Sequence, residues 1–251
     1  SKVRKAENLI TESFFRKDSN YKDCEIIDFK KINNKLSLEG GDIFVINKDI
    51  VMIGISERTS LEAIQLIVPY IFDQDFQKII AVNLPKERAM MHLDTIFTQT
   101  SYNEAIMFNH EDYNIEDLDI FLATKGSKSN KLIKQNYKFI DILKDLDFNL
   151  ISCGGSESNF KLREQLTDGA NSFALEPGKI IMYNCNYNTI KELEKNDYKH
   201  ISSKSLYNDQ LTFEKVLRSD SKLVISIDGS ELVKGRGGPR CMTLPIKRSS
   251  L

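Results

Sequence analysis

The strongest constraint on the fold is a strand–strand–helix–strand order that the sequence repeats three times. Within each repeat, β-branched apolar runs predict two strands, a segment with apolar residues at helical spacing follows, and another apolar run closes the unit. The predicted strands are 41–47, 49–56, 76–84, 92–100, 104–110, 148–153, 170–178, 179–185 and 221–228. The predicted helices are 59–72, 131–146 and 188–197. Such a repeat predicts an α/β fold built from similar units.

The residues before the first full unit predict the second half of another. Residues 2–15 have a helical pattern and residues 24–29 read as a strand. We therefore expect about three and a half ββαβ units in one domain covering residues 1–251, with the start of the repeat lying before residue 1. A simpler reading is an α+β domain with a helical N-terminal arm. Pro69 is the awkward residue, because a proline inside the first predicted helix should end or kink it.

Charge balance, the length of apolar runs and cysteine spacing restrict the partners that this chain can bind and the cellular compartment in which it works. The 251 residues include 35 Lys and Arg against 36 Asp and Glu, so no excess of positive charge favours nucleic acid. Apolar runs are shorter than the roughly 18 to 20 residues of a membrane span, and a polar start argues against a signal peptide. The four cysteines have no C-x-x-C spacing. We therefore expect a cytoplasmic protein with free thiols, without a nucleic-acid or membrane partner.

One of those thiols stands in an unusual setting. The segment "GRGGPRCMTLPI", residues 235–246, surrounds Cys241 with Arg236, Arg240, three glycines and a proline. A thiolate is the nucleophilic form of cysteine, and nearby positive charge lowers the pKa of the thiol. The pattern therefore predicts a reactive cysteine, although a structural cysteine beside a basic turn would give the same letters.

Weaker signals come from three short segments near predicted strands. Alternation along a strand would place His92 and Asp94 on one face, where both could meet a small ligand. In "LEGGD", Glu39 and Asp42 flank two glycines that allow close backbone approach. Arg58 lies in "SERTS" before a predicted helix N-terminus, where anions are favoured. Taken singly, these residues favour a structural or solvated role over a functional one.

Together these segments resemble one family. In order, "LEGGD", "GISERTS", "MHLDTIFT", "DGANSFALEPG" and "GRGGPRCMTLPI" are similar to the motifs of arginine deiminases, and the resemblance extends from about residue 1 to residue 248. These are guanidine-modifying enzymes with the pentein fold, a fivefold α/β propeller of ββαβ units. The resemblance therefore implies the same kind of repeat that the hydrophobic pattern predicts.

The resemblance also implies a reaction and its catalytic residues. Cys241 would attack the guanidinium carbon of L-arginine, ammonia would leave, and water would hydrolyse a covalent thiouronium intermediate to citrulline. His92 would protonate the departing ammonia and then activate water. Asp94 would bind the guanidinium, and Glu39 would orient the histidine and the substrate. No cofactor or metal is implied, and the sequence contains no metal-ligand spacing or nucleotide-binding glycine motif.

Four further residues match substrate-binding positions of the family. Arg58 matches the arginine that holds the substrate carboxylate, and Arg236 matches an arginine that screens the entrance. Arg4, within "VRKAE", matches a second carboxylate-binding arginine. Asp42 has a supporting role in "LEGGD". The resemblance thus implies L-arginine as the ligand.

The main departure from the family pattern is that segments found at the N-terminus of family members have no counterpart in these 251 residues. Family members continue N-terminally with a first propeller unit, a helical insertion and an "F-x-R-D"-like segment whose aspartate is a second guanidinium ligand. We therefore expect the N-terminal segment of the same protein to be a partner of this chain, and a homo-oligomer stays open. Cys185 and Leu166 also replace an arginine and an aromatic residue. The alternatives are a hydrolase of agmatine or methylated arginine, for which Arg58 is the discriminating residue, and a non-catalytic arginine-binding remnant.

Overall fold

The computed structural model describes residues 5–33, 35–127, 130–207 and 210–246 and divides the chain into two units, residues 1–37 and 38–251. In the first unit, helix α1 spans Lys5–Lys17 and a short helix α2 spans Phe29–Ile32. Residues 24–28 form no strand, which corrects the prediction for 24–29. An extended segment becomes a strand only when another backbone pairs with it. The prediction of one catalytic domain over residues 1–251 stays a prediction.

The described part of the second unit contains twelve strands. They are β1 (Ile43–Val45), β2 (Ile50–Ile55), β3 (Lys78–Asn83), β4 (Phe97–Ser101), β5 (Glu104–Met107), β6 (Asp119–Thr124), β7 (Ile133–Lys138), β8 (Asn149–Ser152), β9 (Phe173–Glu176), β10 (Lys179–Tyr183), β11 (Lys199–Ser202) and β12 (Leu223–Ile227). The helices are α3 (Leu61–Asp73), α4 (Phe139–Asp145), α5 (Ser158–Leu166), α6 (Tyr187–Lys195), α7 (Ser203–Leu206) and α8 (Gln210–Leu217). None of the described helices has the length and apolar character that crossing a membrane requires.

Three mixed sheets carry the predicted repeat. Their strand orders are β1-β2-β3-β6-β7, β4-β5-β8 and β9-β10-β12-β11. Each sheet begins with an antiparallel hairpin, and the second hairpin strand pairs in parallel with a strand that follows a helix. A parallel connection needs such a crossover, which explains the position of the helix in every unit. The fold is therefore mixed α/β with a hairpin and a parallel strand in each sheet, but the chain order departs from a plain ββαβ repeat. In sequence, the strands β6 and β7 lie between β5 and β8, and β11 lies between β10 and β12.

Helix α3 shows how local sequence begins one crossover. The side chain of Ser60 caps the helix by accepting a hydrogen bond from the Ala63 amide at 3.2 Å. Pro69 lies inside the helix, which continues to Asp73 despite the missing donor. The buried face includes Ile64, Ile67 and Val68. Burial of this face against the sheet stabilises the helix more than local propensity does.

Two segments differ from the prediction. Residues 131–146 are not one helix, because residues 133–138 form β7 and the helix α4 begins only at Phe139. The strand β7 pairs with β6, and that pairing satisfies its backbone. Similarly, the strand predicted from residue 92 begins at Phe97, and a 3-10 helix, Leu93–Thr95, precedes it.

One apolar core joins the three sheets. Its buried side chains include Phe44 of the first sheet, Ile106 of the second and Ile180 of the third. Phe97 makes edge contacts with Phe44 and Phe139 at centroid distances of 5.8 Å. This core fixes the ends of β1, β2, β4 and β12, and the loops at those ends carry the predicted site residues.

Candidate active site

The centre of the site is a pair formed by Glu39 and His92. Glu39 precedes the 3-10 helix Gly40–Asp42, and His92 precedes the 3-10 helix Leu93–Thr95. The Nε2 atom of His92 lies 2.9 Å from Oε2 of Glu39. Burial lowers the pKa of His92, but the hydrogen bond to Glu39 and the charges of Asp42 and Asp94 outweigh it and raise the pKa above the usual value. The histidine is therefore a proton donor over a wider pH range than usual.

Asp42 lies beneath this pair and organises the backbone. Its carboxylate is fully buried, accepts a hydrogen bond from Ser56 Oγ at 2.6 Å and accepts another from the Leu93 amide at 2.8 Å. Burial raises the pKa of Asp42 to about 6. The Ser56 hydroxyl also accepts the amide hydrogen of Arg58 at 3.0 Å. Asp42 thus connects the loops that bear His92 and Arg58.

A glycine permits the close approach of these loops. A Cβ atom on Gly41 would lie 2.8 Å from the imidazole Cγ and Nδ1 of His92, and 3.0 Å from Oδ2 of Asp94. Side-chain atoms do not tolerate such distances without moving, so this position needs glycine. The expected close backbone approach in "LEGGD" is therefore observed.

His92 and Asp94 are neighbours in space, but not as residues on one face of a strand. Asp94 lies in the 3-10 helix, and its Oδ1 atom is 4.0 Å from Nδ1 of His92. The strand geometry predicted for this pair is wrong, because the backbone turns at Leu93 to place its amide on Asp42. The turn nonetheless brings the two side chains together.

Asp94, like Asp42, is a fully buried carboxylate of the site. Its side chain has no exposed surface, and its Oδ2 atom accepts a hydrogen bond from Nη1 of Arg240 at 2.9 Å. Burial raises the pKa of Asp94, and the Arg240 guanidinium is the largest influence in the opposite direction. Its Oδ1 atom has no hydrogen-bond partner among the described residues. This carboxylate is therefore half satisfied and can accept a further donor.

Cys241 lies beside that carboxylate, in the 3-10 helix Arg240–Met242. Its Sγ atom is 3.8 Å from Oδ2 of Asp94 and accepts a hydrogen bond from Nδ2 of Asn171 at 3.2 Å. Burial of the thiol, followed by the Asp94 charge, raises the pKa of Cys241 to about 12. We expected the arginines of the segment to lower this pKa. The expectation is wrong for the unliganded chain, because Arg240 pairs with Asp94 rather than with the thiol.

Of the three arginines predicted to bind substrate, Arg58 and Arg236 lie among the described residues, in different loops. Arg58 follows β2, and its Nη1 atom is 3.7 Å from Oε1 of Glu39, while its buried Nε atom has no hydrogen-bond partner among the described residues. Arg236 follows β12, donates from Nη2 to the Ala89 carbonyl at 3.1 Å, and has Nε 3.9 Å from Oδ1 of Asp168. Arg4 lies outside the described residues.

Two residues that complete the site, Asn171 and Asp168, were not predicted from the sequence, and Arg240 was predicted only as a charge beside Cys241. Asn171 accepts the backbone amide hydrogens of Arg240 and Cys241 at its Oδ1 atom, at 3.0 and 3.3 Å. Asp168 is buried near Arg236, and Arg240 contacts Asp94. The motif "DGANSFALEPG" contains both Asp168 and Asn171 and could have identified them. The contact between Arg240 and Asp94 could not be predicted from a local sequence pattern, because 146 positions separate the two residues.

Comparison with known proteins identifies relatives over the whole chain. The family model described as arginine deiminase matches residues 1–248. Proteins named arginine deiminase from Borreliella burgdorferi strain ZS7, Mycoplasma capricolum subsp. capricolum strain California kid and Staphylococcus aureus strain JH9 are 36%, 33% and 31% identical to the chain. Each match covers 100% of this chain but only 56% to 57% of the relative. The chain therefore spans little more than half the length of these curated relatives.

A solved structure resembles the chain at the level of fold. It is "SxtG an amidinotransferase from the Microseira wollei in Saxitoxin biosynthetic pathway", with a TM-score of 0.51 and 14% sequence identity. The match covers 86% of this chain and 49% of that structure. At this identity the likeness concerns the backbone architecture alone.

Proposed function

Because this chain belongs to the arginine deiminase family, we propose that it carries the reaction centre of an enzyme that hydrolyses L-arginine to L-citrulline and ammonia. The observation that supports this most is the convergence of a thiol, a half-satisfied carboxylate and a histidine–glutamate pair. Cys241 lies 3.8 Å from Asp94, Asp94 lies 4.0 Å from His92, and His92 lies 2.9 Å from Glu39. These groups supply a nucleophile, a cation-binding group and a proton donor.

The first step is binding of the guanidinium group. A guanidinium is planar and cationic, and it prefers carboxylate acceptors that can take paired N–H donors. Oδ1 of Asp94 is buried without a partner among the described residues, so a bound guanidinium would satisfy it. Burial strengthens the attraction, since a charge pair interacts more strongly in a low dielectric than in water.

The bound cation would also activate the nucleophile. With a pKa of about 12, the Cys241 thiol is protonated at neutral pH in the unliganded chain. An opposite charge close to an ionisable group favours its charged form. A guanidinium beside Sγ therefore lowers the pKa of the thiol, and the proton passes to solvent as the ligand binds.

The remaining steps conserve charge and protons. The thiolate of Cys241 forms an S–C bond to the guanidinium carbon, and protonated His92 gives its proton to the departing nitrogen as the C–N bond breaks. Ammonia leaves, and a thiouronium cation remains on the cysteine. Neutral His92 then takes a proton from water, hydroxide adds to the carbon, and the S–C bond breaks to release the thiolate. Citrulline loses one proton to solvent.

Glu39 and Asp42 would keep His92 in its working state. A general acid must be protonated when the leaving group departs, and the raised pKa of His92 meets that requirement near neutral pH. As pH rises through this pKa, the protonated fraction falls and the rate declines. Glu39 orients the ring through Nε2, and Asp42 holds the adjoining backbone through the Leu93 amide.

Arg58 would bind the substrate carboxylate and distinguish arginine from decarboxylated guanidines. We expect Arg58→Ala to raise KM for L-arginine by about 10- to 100-fold, the equivalent of one charge-assisted hydrogen bond. Agmatine has no carboxylate, so any weak activity on agmatine should change far less. Steady-state kinetics on both compounds measure the difference.

The control for this experiment is Arg218→Ala, because Arg218 is an exposed arginine whose Nη2 atom lies 3.6 Å from Oε2 of Glu214. It should leave both KM values near those of the parent. Equal losses on arginine and agmatine in Arg58→Ala would instead mean that Arg58 supports the loop and does not read the carboxylate.

We further propose that the complete enzyme is a pentein-type propeller and that the rest of its length, N-terminal to this chain, supplies a second carboxylate for the guanidinium. Two findings support this: the chain spans 56% of the Borreliella burgdorferi relative, and the carboxylate in contact with Cys241 is that of Asp94, with Oδ2 3.8 Å from Sγ. A guanidinium held from one side is poorly aligned, and a small misplacement can lower the rate about 100-fold.

The function is tested by measuring citrulline formation from L-arginine with the 251-residue chain and with the full-length protein that contains it. We expect the full-length protein to be active and the 251-residue chain to be at least about 100-fold slower. Adding the N-terminal segment as a separate polypeptide should restore part of the rate. A full-length protein that forms no citrulline would overturn the proposed function, and an equally fast 251-residue chain would overturn the proposed second carboxylate.

A further inference from the structure

The guanidinium of Arg240 is held by an unusually complete set of acceptors. Besides Asp94, Nη2 donates to the Ile43 carbonyl at 2.6 Å, and Nη1 lies 3.5 Å from the carbonyls of Gly40 and Gly41. The guanidinium carbon stands 4.0 Å from the ring centroid of Phe44, a cation–π contact. Arg240 is therefore anchored by the backbone at the start of β1 and not by Asp94 alone.

This anchoring makes the two oxygens of Asp94 unequal. Oδ2 accepts the hydrogen bond from Arg240, whereas Oδ1 is buried and has no hydrogen-bond partner among the described residues. The Asp94 backbone carbonyl is also held, by Nδ2 of Asn171 at 3.2 Å. The carboxylate is thus restrained at one oxygen and available at the other.

We propose that Arg240 is a positioning residue that fixes Asp94 through Oδ2 and so presents Oδ1 as the acceptor for the guanidinium of the ligand. The proposal rests on the proposed function. Arg240 does not touch the ligand in this arrangement. It acts by orienting Asp94 and by opposing, through its charge, the rise in the Asp94 pKa that burial causes.

An alternative is that Arg240 occupies the ligand position and must leave when arginine binds. The contacts favour an anchor. Displacement of Arg240 would remove the donors of the Asp94 Oδ2 atom and the Ile43 carbonyl and would break the contact with Phe44. Leaving buried acceptors unpaired carries a substantial cost. Oδ1 offers the ligand a site without that cost.

The charge of Arg240 predicts a pH signature for this role. The charged or titratable groups that face Asp94 are Arg240, His92, Cys241 and Asp168. Burial raises the pKa of Asp94, and Arg240 is the strongest opposing influence. Removing Arg240 therefore moves the Asp94 pKa upward. Only the ionised carboxylate attracts a cation. As the pH is lowered, the variant should therefore lose ligand binding at a higher pH than the parent does.

The experiment measures binding of L-arginine to the full-length protein by isothermal titration calorimetry between about pH 5 and 9, in a Cys241→Ala background that does not consume the ligand. This background is the reference for the Arg240 variants, and the fitted Kd gives the affinity at each pH. When Arg240→Gln is added, we expect affinity at pH 8 to fall at least about tenfold, the loss of one charge-assisted contact. The pH below which binding is lost should rise by about one unit or more.

Two variants separate positioning from a general loss of structure. Arg240→Lys keeps the charge but not the planar fork, so we expect weaker affinity with the pH limit nearly in place. Arg218→Gln removes an exposed arginine on the loop after α8 and should change neither quantity. Thermal unfolding monitored by circular dichroism identifies any variant that does not fold. If Arg240→Gln does not fold, the pH dependence of binding by Arg240→Lys decides whether Arg240 positions Asp94 or only supports the structure.

Each outcome has a separate meaning. A reference protein that binds no arginine would overturn the proposed function itself. Binding by the reference with an equal loss of affinity at every pH in Arg240→Gln would assign Arg240 a purely structural role. Tighter binding in Arg240→Gln would mean that Arg240 competes with the ligand for Asp94. Either of the last two results would overturn the positioning role while leaving the proposed function intact.

Discussion

Replacing Cys241 with alanine is expected to reduce citrulline formation by the full-length protein by about 10⁴-fold or more, because removal of a nucleophile eliminates the covalent route. The fold should persist. The two backbone amides that Asn171 accepts, from Arg240 and Cys241, remain after the substitution, so the loop keeps its anchor. Acid-quenched mass spectrometry should find a thiouronium adduct on the Cys241 peptide of the parent protein.

Cys185→Ala is the matched control for this experiment. Cys185 is a partly buried thiol whose pKa burial also raises, but none of its contacts reaches Asp94 or His92 among the described residues. We expect this variant to retain the adduct and the parent rate. Activity in Cys241→Ala, or an adduct on another cysteine, would contradict the assignment of Cys241 as nucleophile.

Replacing His92 with alanine is expected to lower kcat by about 10²- to 10⁴-fold, the usual contribution of a general acid–base group. Hydrolysis of the thiouronium still needs an activated water, so the intermediate should accumulate when this step becomes slower than its formation. The measurement combines steady-state citrulline formation with acid-quenched mass spectrometry of the same samples. A higher occupancy of the adduct than in the parent would distinguish this role from simple loss of binding.

His200→Ala provides the histidine control. His200 is exposed on β11, and its Nε2 atom contacts Ser226 Oγ at 2.8 Å. It should leave kcat and adduct occupancy unchanged. If His92→Ala instead retained the parent kcat, His92 would be a structural residue that holds Glu39, and the proton donor would have to be sought elsewhere in the site.

Much of the fold could be predicted because hydrophobic periodicity reflects burial. The hairpin β1–β2, the capped helix α3 and the parallel strand β3 follow directly from apolar runs and turn residues. The strand β7 could not be predicted in this way. It is largely polar, Ile133 is 58% exposed, and only pairing with β6 makes it a strand. Local sequence cannot reveal such pairing, since the partner's position depends on the rest of the fold.

The candidate site shows the same division between residue identity and geometry. The identities of His92, Asp94 and Cys241 were recognisable from their motifs, but the expected strand geometry of His92 and Asp94 was wrong. A hydrogen bond from the Leu93 amide to Asp42 turns the chain between them. That contact joins residues 51 positions apart, so no local pattern contained it.

By itself, the sequence determined the hairpins β1–β2, β4–β5 and β9–β10, the family and the side chains available for chemistry, since these depend on local pattern and residue type. The tertiary structure decided how those side chains act on one another. It placed Arg240 on Asp94 and both beside Cys241, so that the thiol pKa is raised to about 12 rather than lowered by the neighbouring arginines. The physical reason is that electrostatic interactions depend on distance and burial in three dimensions, and neighbours in sequence can direct their charges to different partners.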